Sequence, residues 1–193
     1  MTSRRDFLLL AAGACAAWVG ASGCSSAVES GHGTALDSVN LEEMTDRMAA
    51  GILADPRVRH AIAAARPLRV VDQPVENRMT GEVLPRGEAE AFTARVRWLL
   101  TQHAPDDFEW IINRDTFYRL RARELDVPLG PAPEAQNPRF ALWGTFYSLT
   151  DESSKRRSSS YLCLFELTDL DRRSTLWTGR YEVKKVAVKG FLD

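Results

Sequence analysis

A chain of 193 residues, 45% apolar and 26% charged, is long enough for one compact domain and an export segment. Its formal net charge of -1 gives no electrostatic case for a nucleic-acid binder. The three cysteines are Cys15, Cys24 and Cys163; the first two fall in a leader and at its end, so no internal disulfide is expected after processing.

The leader comes first. Ser3-Arg4-Arg5-Asp6-Phe7-Leu8 fits the twin-arginine export pattern S-R-R-x-F-L, with Arg4, Arg5, Phe7 and Leu8 at its fixed positions. The apolar stretch 7–19 is too short for a stable transmembrane helix. Ala21, Ser22 and Gly23 then lead into Cys24 as a lipobox, with Ala21 where Leu is usual. Small residues there let the chain enter a lipoprotein signal peptidase extended. The Cys24 thiol would carry diacylglycerol, and each buried methylene contributes about 0.8 kcal/mol of anchoring. Removing 1–23 takes away Arg4, Arg5 and Asp6, leaving 23 basic and 25 acidic residues and a net charge of -2. The predicted segments are 1–23, a signal peptide; 24–39, a lipidated Cys and flexible tether; and 40–193, a folded domain. Ser25 stands where an Asp would signal inner-membrane retention, so the expected location is the envelope, facing the periplasm from the inner leaflet of the outer membrane.

Residues 25–39 are small and polar, with Ser25, Ser26, Ser30, Gly31 and Gly33, as a tether requires. Asn40 is the predicted helix N-cap, with Glu43 as its box partner. Leu41, Met44, Met48 and Ile52 then recur at helical spacing. Pro56 interrupts, and 57–65 continues as helix or turn. A strand is expected over 68–75, a loop over 78–87, and a helix over 88–102 with Phe92, Val96, Leu99 and Leu100 buried. A second strand covers 108–113, and Asp115 caps a helix to Leu125. Pro128, Pro131, Pro133 and Pro138 make 126–138 irregular.

Three long strands follow, over 140–149, 159–169 and 176–186. In the third, Trp177, Gly179, Tyr181 and Val183 alternate with Thr178, Arg180, Glu182 and Lys184, the period of a sheet with one wet face. Short polar connections at 150–158 and 170–175 make these strands an antiparallel meander. The predicted fold is a two-layer α/β domain, a mixed sheet ending in that three-strand meander with helices on one face.

Enzyme constellations do not emerge. His32 lies in the tether and His60 and His103 near helix ends, none with a partner at metal-ligand spacing. Asp106-Asp107 reads as a solvated turn, and Lys155, Arg156 and Arg157 as a solvated loop. Cys163, in an apolar run, reads as a buried small residue. There is no Gly-rich phosphate loop and no G-x-S-x-G elbow. The expectation is a protein with no catalytic residue, no metal, no cofactor and no small-molecule substrate.

Several local patterns recur in a set order over 66–186. They are Val75-Glu76-Asn77-Arg78-Met79 after a strand; Ala141-Leu142-Trp143-Gly144 within one; the strand from Tyr161 to Leu170, with its Asp169-Leu170 end; Trp177 eight residues after Asp169; and Lys184-Lys185. In this the chain resembles the LpoB family, lipoprotein activators of class A penicillin-binding proteins with a fold similar to the N-terminal domain of TolB. Met79 stands where that family has Thr, and Arg173 where it has a turn Gly. The family signature residues here are Asn77, Gly144, Asp169 and Trp177, read as fold markers rather than contacts. The resemblance implies a non-catalytic partner of a peptidoglycan synthase, attached to the membrane through its lipid. Two alternatives stay open: a structural or assembly lipoprotein of an envelope export or secretion complex, and an enzyme.

Overall fold

The structure, a computed structural model, describes residues 27–31, 35–124, 136–153 and 155–188. Arg4, Arg5, Phe7, Leu8, Cys15, Ala21, Ser22, Gly23, Cys24, His32, Pro128, Pro131 and Pro133 lie outside the described residues.

Helix α1 (Ser38–Ala54) starts earlier than Asn40. Asp37 is the N-cap: its Oδ1 accepts from the Asn40 backbone N–H at 3.0 Å, and Asn40 Oδ1 accepts from the Asp37 N–H at 3.1 Å. The capping box is therefore Asp37 with Asn40, not Asn40 with Glu43. Asp37 wins the cap because it also binds Lys185, and the earlier start buries the Asn40 amide completely. Asp55 ends α1 and caps α2 (Pro56–Ala64), accepting from the N–H of Arg57 at 2.7 Å and of Val58 at 3.2 Å. Pro56 sits at the first helical position, where its missing N–H is no loss.

The strands are β1 (Ala27–Gly31), β2 (Leu68–Asp72), β3 (Glu76–Asn77), β4 (Phe108–Trp110), β5 (Phe140–Glu152), β6 (Arg156–Asp169) and β7 (Ser174–Val188). Two further helices are α3 (Arg86–His103) and α4 (Arg114–Glu124). The sheet order is β1-β7-β6-β5-β2-β4, with β3 also on β5. β5, β6 and β7 pair antiparallel, while β2 runs parallel to both β4 and β5. The mixed sheet and its closing meander are as expected.

Several boundaries differ. β5 and β6 extend through most of the expected 150–158 connection, so Arg156 and Arg157 are strand residues paired with β7 rather than a solvated loop. β2 stops at Asp72; after Pro74, which has no N–H to donate, the chain resumes pairing only as β3. β4 is three residues long, and Asn113 rather than Asp115 binds the first turn of α4, accepting from the Asp115 N–H at 3.0 Å. Within the expected tether, Ala27–Gly31 forms β1, parallel to β7 from Val183 to Ala187. Strand pairing there uses backbone groups, which a Ser- and Gly-rich composition leaves available.

The core lies between the sheet and α1 and α3. Met44, Met48 and Ile52 of α1 and Phe92, Val96 and Leu100 of α3 meet Phe140, Phe146, Cys163, Phe165, Trp177 and Tyr181 of the meander. Phe146 packs edge-on against Phe92 at 4.7 Å and Phe165 at 5.7 Å between ring centroids. Arg95 of α3 clamps the two helices together through Thr45 and the Asp46 carboxylate.

Candidate functional site

The four signature residues are not brought together. Asn77 closes the turn after β3, accepting from the Met79 N–H at 2.8 Å and donating to the Glu82 carbonyl at 2.9 Å. Asp169 closes the β6–β7 turn by accepting from the N–H groups of Asp171 and Arg172 and from the Arg139 guanidinium. In that turn Arg173, where the family resemblance expects Gly, has φ of 54°, the left-handed region. Gly144 allows β5 and β6 to close over Val75: a Cβ there would sit 2.8 Å from the Leu164 carbonyl oxygen. Trp177 is buried against Gly51 and Gly179. These residues hold turns and core.

The sequence-expected chemical candidates are equally occupied. Arg66 ties down Asp107 at 2.8 Å and Asp106 at 3.6 Å. Cys163 is fully buried, and burial pushes its thiol well above the usual range, so it holds its proton. Tyr161, also buried, donates to both Glu82 oxygens at 2.8 Å; burial and that carboxylate push its phenol up. His60 lines a cleft of about 420 Å³ under α2 with Arg57, Arg139 and Arg172, where Asp55, Asp169 and Asp171 balance the arginines. Lys155 and Arg156 are exposed. Among the described residues, no cluster of three or more His, Cys, Asp or Glu could hold a metal, and no helix is long and apolar enough to cross a membrane.

A cleft of about 690 Å³ opens between α3 and α4, beyond the carboxyl ends of β2 and β4. Open α/β sheets bind ligands at such strand ends. On its α3 side, Arg97 donates to both Asp72 oxygens at 3.0 and 2.9 Å, and Arg86 pairs with Glu90 at 2.8 Å. Asn113 donates to Gln73 at 3.3 Å across the ends of the two strands. On the α4 side stand Ile112, Asp115, Thr116, Arg119 and Leu120. The arrangement offers paired charge on one wall, and Arg119 and Asp115 beside the apolar Ile112 and Leu120 on the other. That suits binding. Sequence reasoning missed this cleft; the available signal was four arginines within the eleven residues of α4.

A second surface is the outward face of the meander. Tyr147 and Leu149 are exposed there, at 43% and 76%, beside Leu162.

No protein-family model matches the chain, and no curated protein matches it. Among solved structures, it is similar to the LpoB C-terminal domain from Salmonella enterica, with 13% identity and a TM-score of 0.39 over 72% of this chain and 94% of that one. The LpoB C-terminal domain from Escherichia coli gives 14% and 0.39 over 72% and 96%. A PelC dodecamer from Paraburkholderia phytofirmans gives 15% and 0.31 over 60% and 72%. Likeness at this level transfers no function.

Proposed function

We propose that the chain is a lipid-anchored, non-catalytic regulator of the cell envelope that binds a peptidoglycan synthase of the class A penicillin-binding type and raises its activity. The observation that supports this best is in the sequence: a twin-arginine leader ending at Cys24 precedes a domain with the ordered patterns of Asn77, Gly144, Asp169 and Trp177. Each of those residues serves a turn or the core, so they mark the fold and leave the contact surface to other residues. The Cys24 lipid would hold the domain at the periplasmic face of a membrane, and tethering would raise the effective concentration of a weakly bound partner.

Two measurements test the reading. Arg4→Lys with Arg5→Lys should leave precursor in the cytoplasm, and Cys24→Ala should abolish fatty-acid labelling and release the protein from membranes. A Cys24→Ala protein that still labels with fatty acid overturns the anchor. Synthase turnover on its lipid-linked precursor should rise when the mature lipoprotein is added. Absence of binding and stimulation with every class A synthase of the same cell overturns the activator reading.

A further inference from the structure

In α1 and α3, Arg47 pairs with Glu43, Arg86 with Glu90, Arg95 with Asp46 and Arg97 with Asp72. Helix α4 carries Arg114, Arg119, Arg121 and Arg123 against Asp115 and Glu124, an excess of two positive charges. Arg114 lies over the Tyr118 ring at 5.8 Å and Arg121 over Phe117 at 6.0 Å, while Arg119 reaches the Thr116 hydroxyl at 3.3 Å. Among the described residues, no carboxylate lies within ion-pair distance of Arg114 or Arg119.

Large apolar groups accompany this charge. Ile112, Tyr118 and Leu120 are 55%, 52% and 41% exposed. Ile112, Asp115, Arg119 and Leu120 line the 690 Å³ cleft, whose opposite wall carries the Arg97–Asp72 and Arg86–Glu90 pairs; Asp115 is not within ion-pair distance of Arg119. Incoming carboxylates would meet Arg119 inside and Arg114 at the start of the helix, and an apolar side chain would meet Ile112 and Leu120.

We propose that α4 and its cleft dock an acidic segment of a partner protein that also carries large apolar side chains. A protein is favoured over an anionic lipid surface by topology. β4, which leads into α4, and β1, which follows the anchor, are at opposite ends of the sheet path. Five strand spacings of about 4.8 Å put about 24 Å between them. The choice between protein and lipid rests on the anchored-regulator reading; the complementarity of the cleft does not.

The test uses the mature lipoprotein in detergent and a short labelled peptide rich in glutamate and phenylalanine. Binding should weaken as salt rises and fall about tenfold or more in Arg114→Glu with Arg119→Glu. The isosteric pair Arg114→Gln with Arg119→Gln, checked for unchanged circular dichroism, should show an intermediate loss, and Leu120→Ser a several-fold one. Equal binding by the charge-reversed protein overturns the proposal. So does Arg114- and Arg119-dependent binding to phosphatidylglycerol vesicles without peptide binding, which would put α4 on a membrane. Synthase stimulation that survives charge reversal overturns docking at α4 and leaves the regulator reading standing. Peptide binding at α4 with no stimulation by the unaltered protein does the reverse.

Discussion

The Trp177 slot offers a sharp test of strand register and core packing. The indole lies along β7 over Gly179 and touches α1 at Gly51, where a Cβ would stand 3.1 Å from Cζ2. A Cβ on Gly179 would overlap the same ring and come within 2.6 Å of Met48 Sδ. Gly179→Ala therefore overpacks the slot, at a cost of about 1–3 kcal/mol, offset by about 0.4–1 kcal/mol from the stiffer unfolded chain. Trp177→Ala empties it, at a cost of about 3–5 kcal/mol, a large share of the roughly 5–15 kcal/mol that holds a domain together. In the double variant the new methyl enters the void that the indole left, so the two costs should not add. The coupling should favour the double variant by about 1–3 kcal/mol. Urea unfolding followed by far-ultraviolet circular dichroism measures all three, with Arg180→Ala on the wet face as a control expected within about 0.5 kcal/mol. Additivity within about 0.5 kcal/mol would show that the indole does not cover Gly179. Equal small losses at Trp177 and Arg180 would refute the register of β7 itself.

Asp37→Asn keeps a side chain able to cap α1 but removes the carboxylate to which Lys185 donates at 2.7 Å, so it should cost about 1–2 kcal/mol at neutral pH. The hydrogen-bonded Lys185 ammonium holds the Asp37 carboxyl below its usual 3.8. Its stabilisation is therefore full above that value and lost as pH falls through the lower folded value, and the Asn variant should lack this part of acid unfolding in pH-dependent melts. Cys163 should resist alkylation in the native protein and react at the rate of global unfolding; fast native labelling would contradict its burial. Arg173→Gly should stabilise by about 0.5–1 kcal/mol in the same urea experiment, because Gly adopts a φ of 54° without the penalty a Cβ brings. Amide exchange should be slow across Ala27–Gly31, where β1 pairs with β7; unprotected exchange there would return the segment to a free tether.

What could be read from the sequence follows the physics of each element. The meander was legible because burial on one face alone imposes a period of two, and Trp177, Tyr181 and Phe165 all face the helices as that period requires. The helices were legible from the spacing of Met44, Met48 and Ile52 and of Phe92, Val96 and Leu100. The start of α1 was misplaced because Asp37 and Asn40 are equally good caps locally; a contact 148 positions away, with Lys185, favours Asp37. β1 left no trace because a parallel edge strand draws on backbone groups that any sequence carries, and its composition matched a tether. The cleft was invisible for a different reason. Its walls come from α3 and α4, and its floor from the ends of β2 and β4, so no local pattern encodes it. Arg119 reads as one more solvated arginine until the fold places it with Ile112 and Leu120, across from charges already paired. The strand pattern is carried by contiguous residues, while the cleft beside α4 exists only after folding. Mutagenesis of Asn77, Gly144, Asp169 and Trp177 would therefore report on stability alone, and α4 is where a loss of partner binding without a loss of stability should appear.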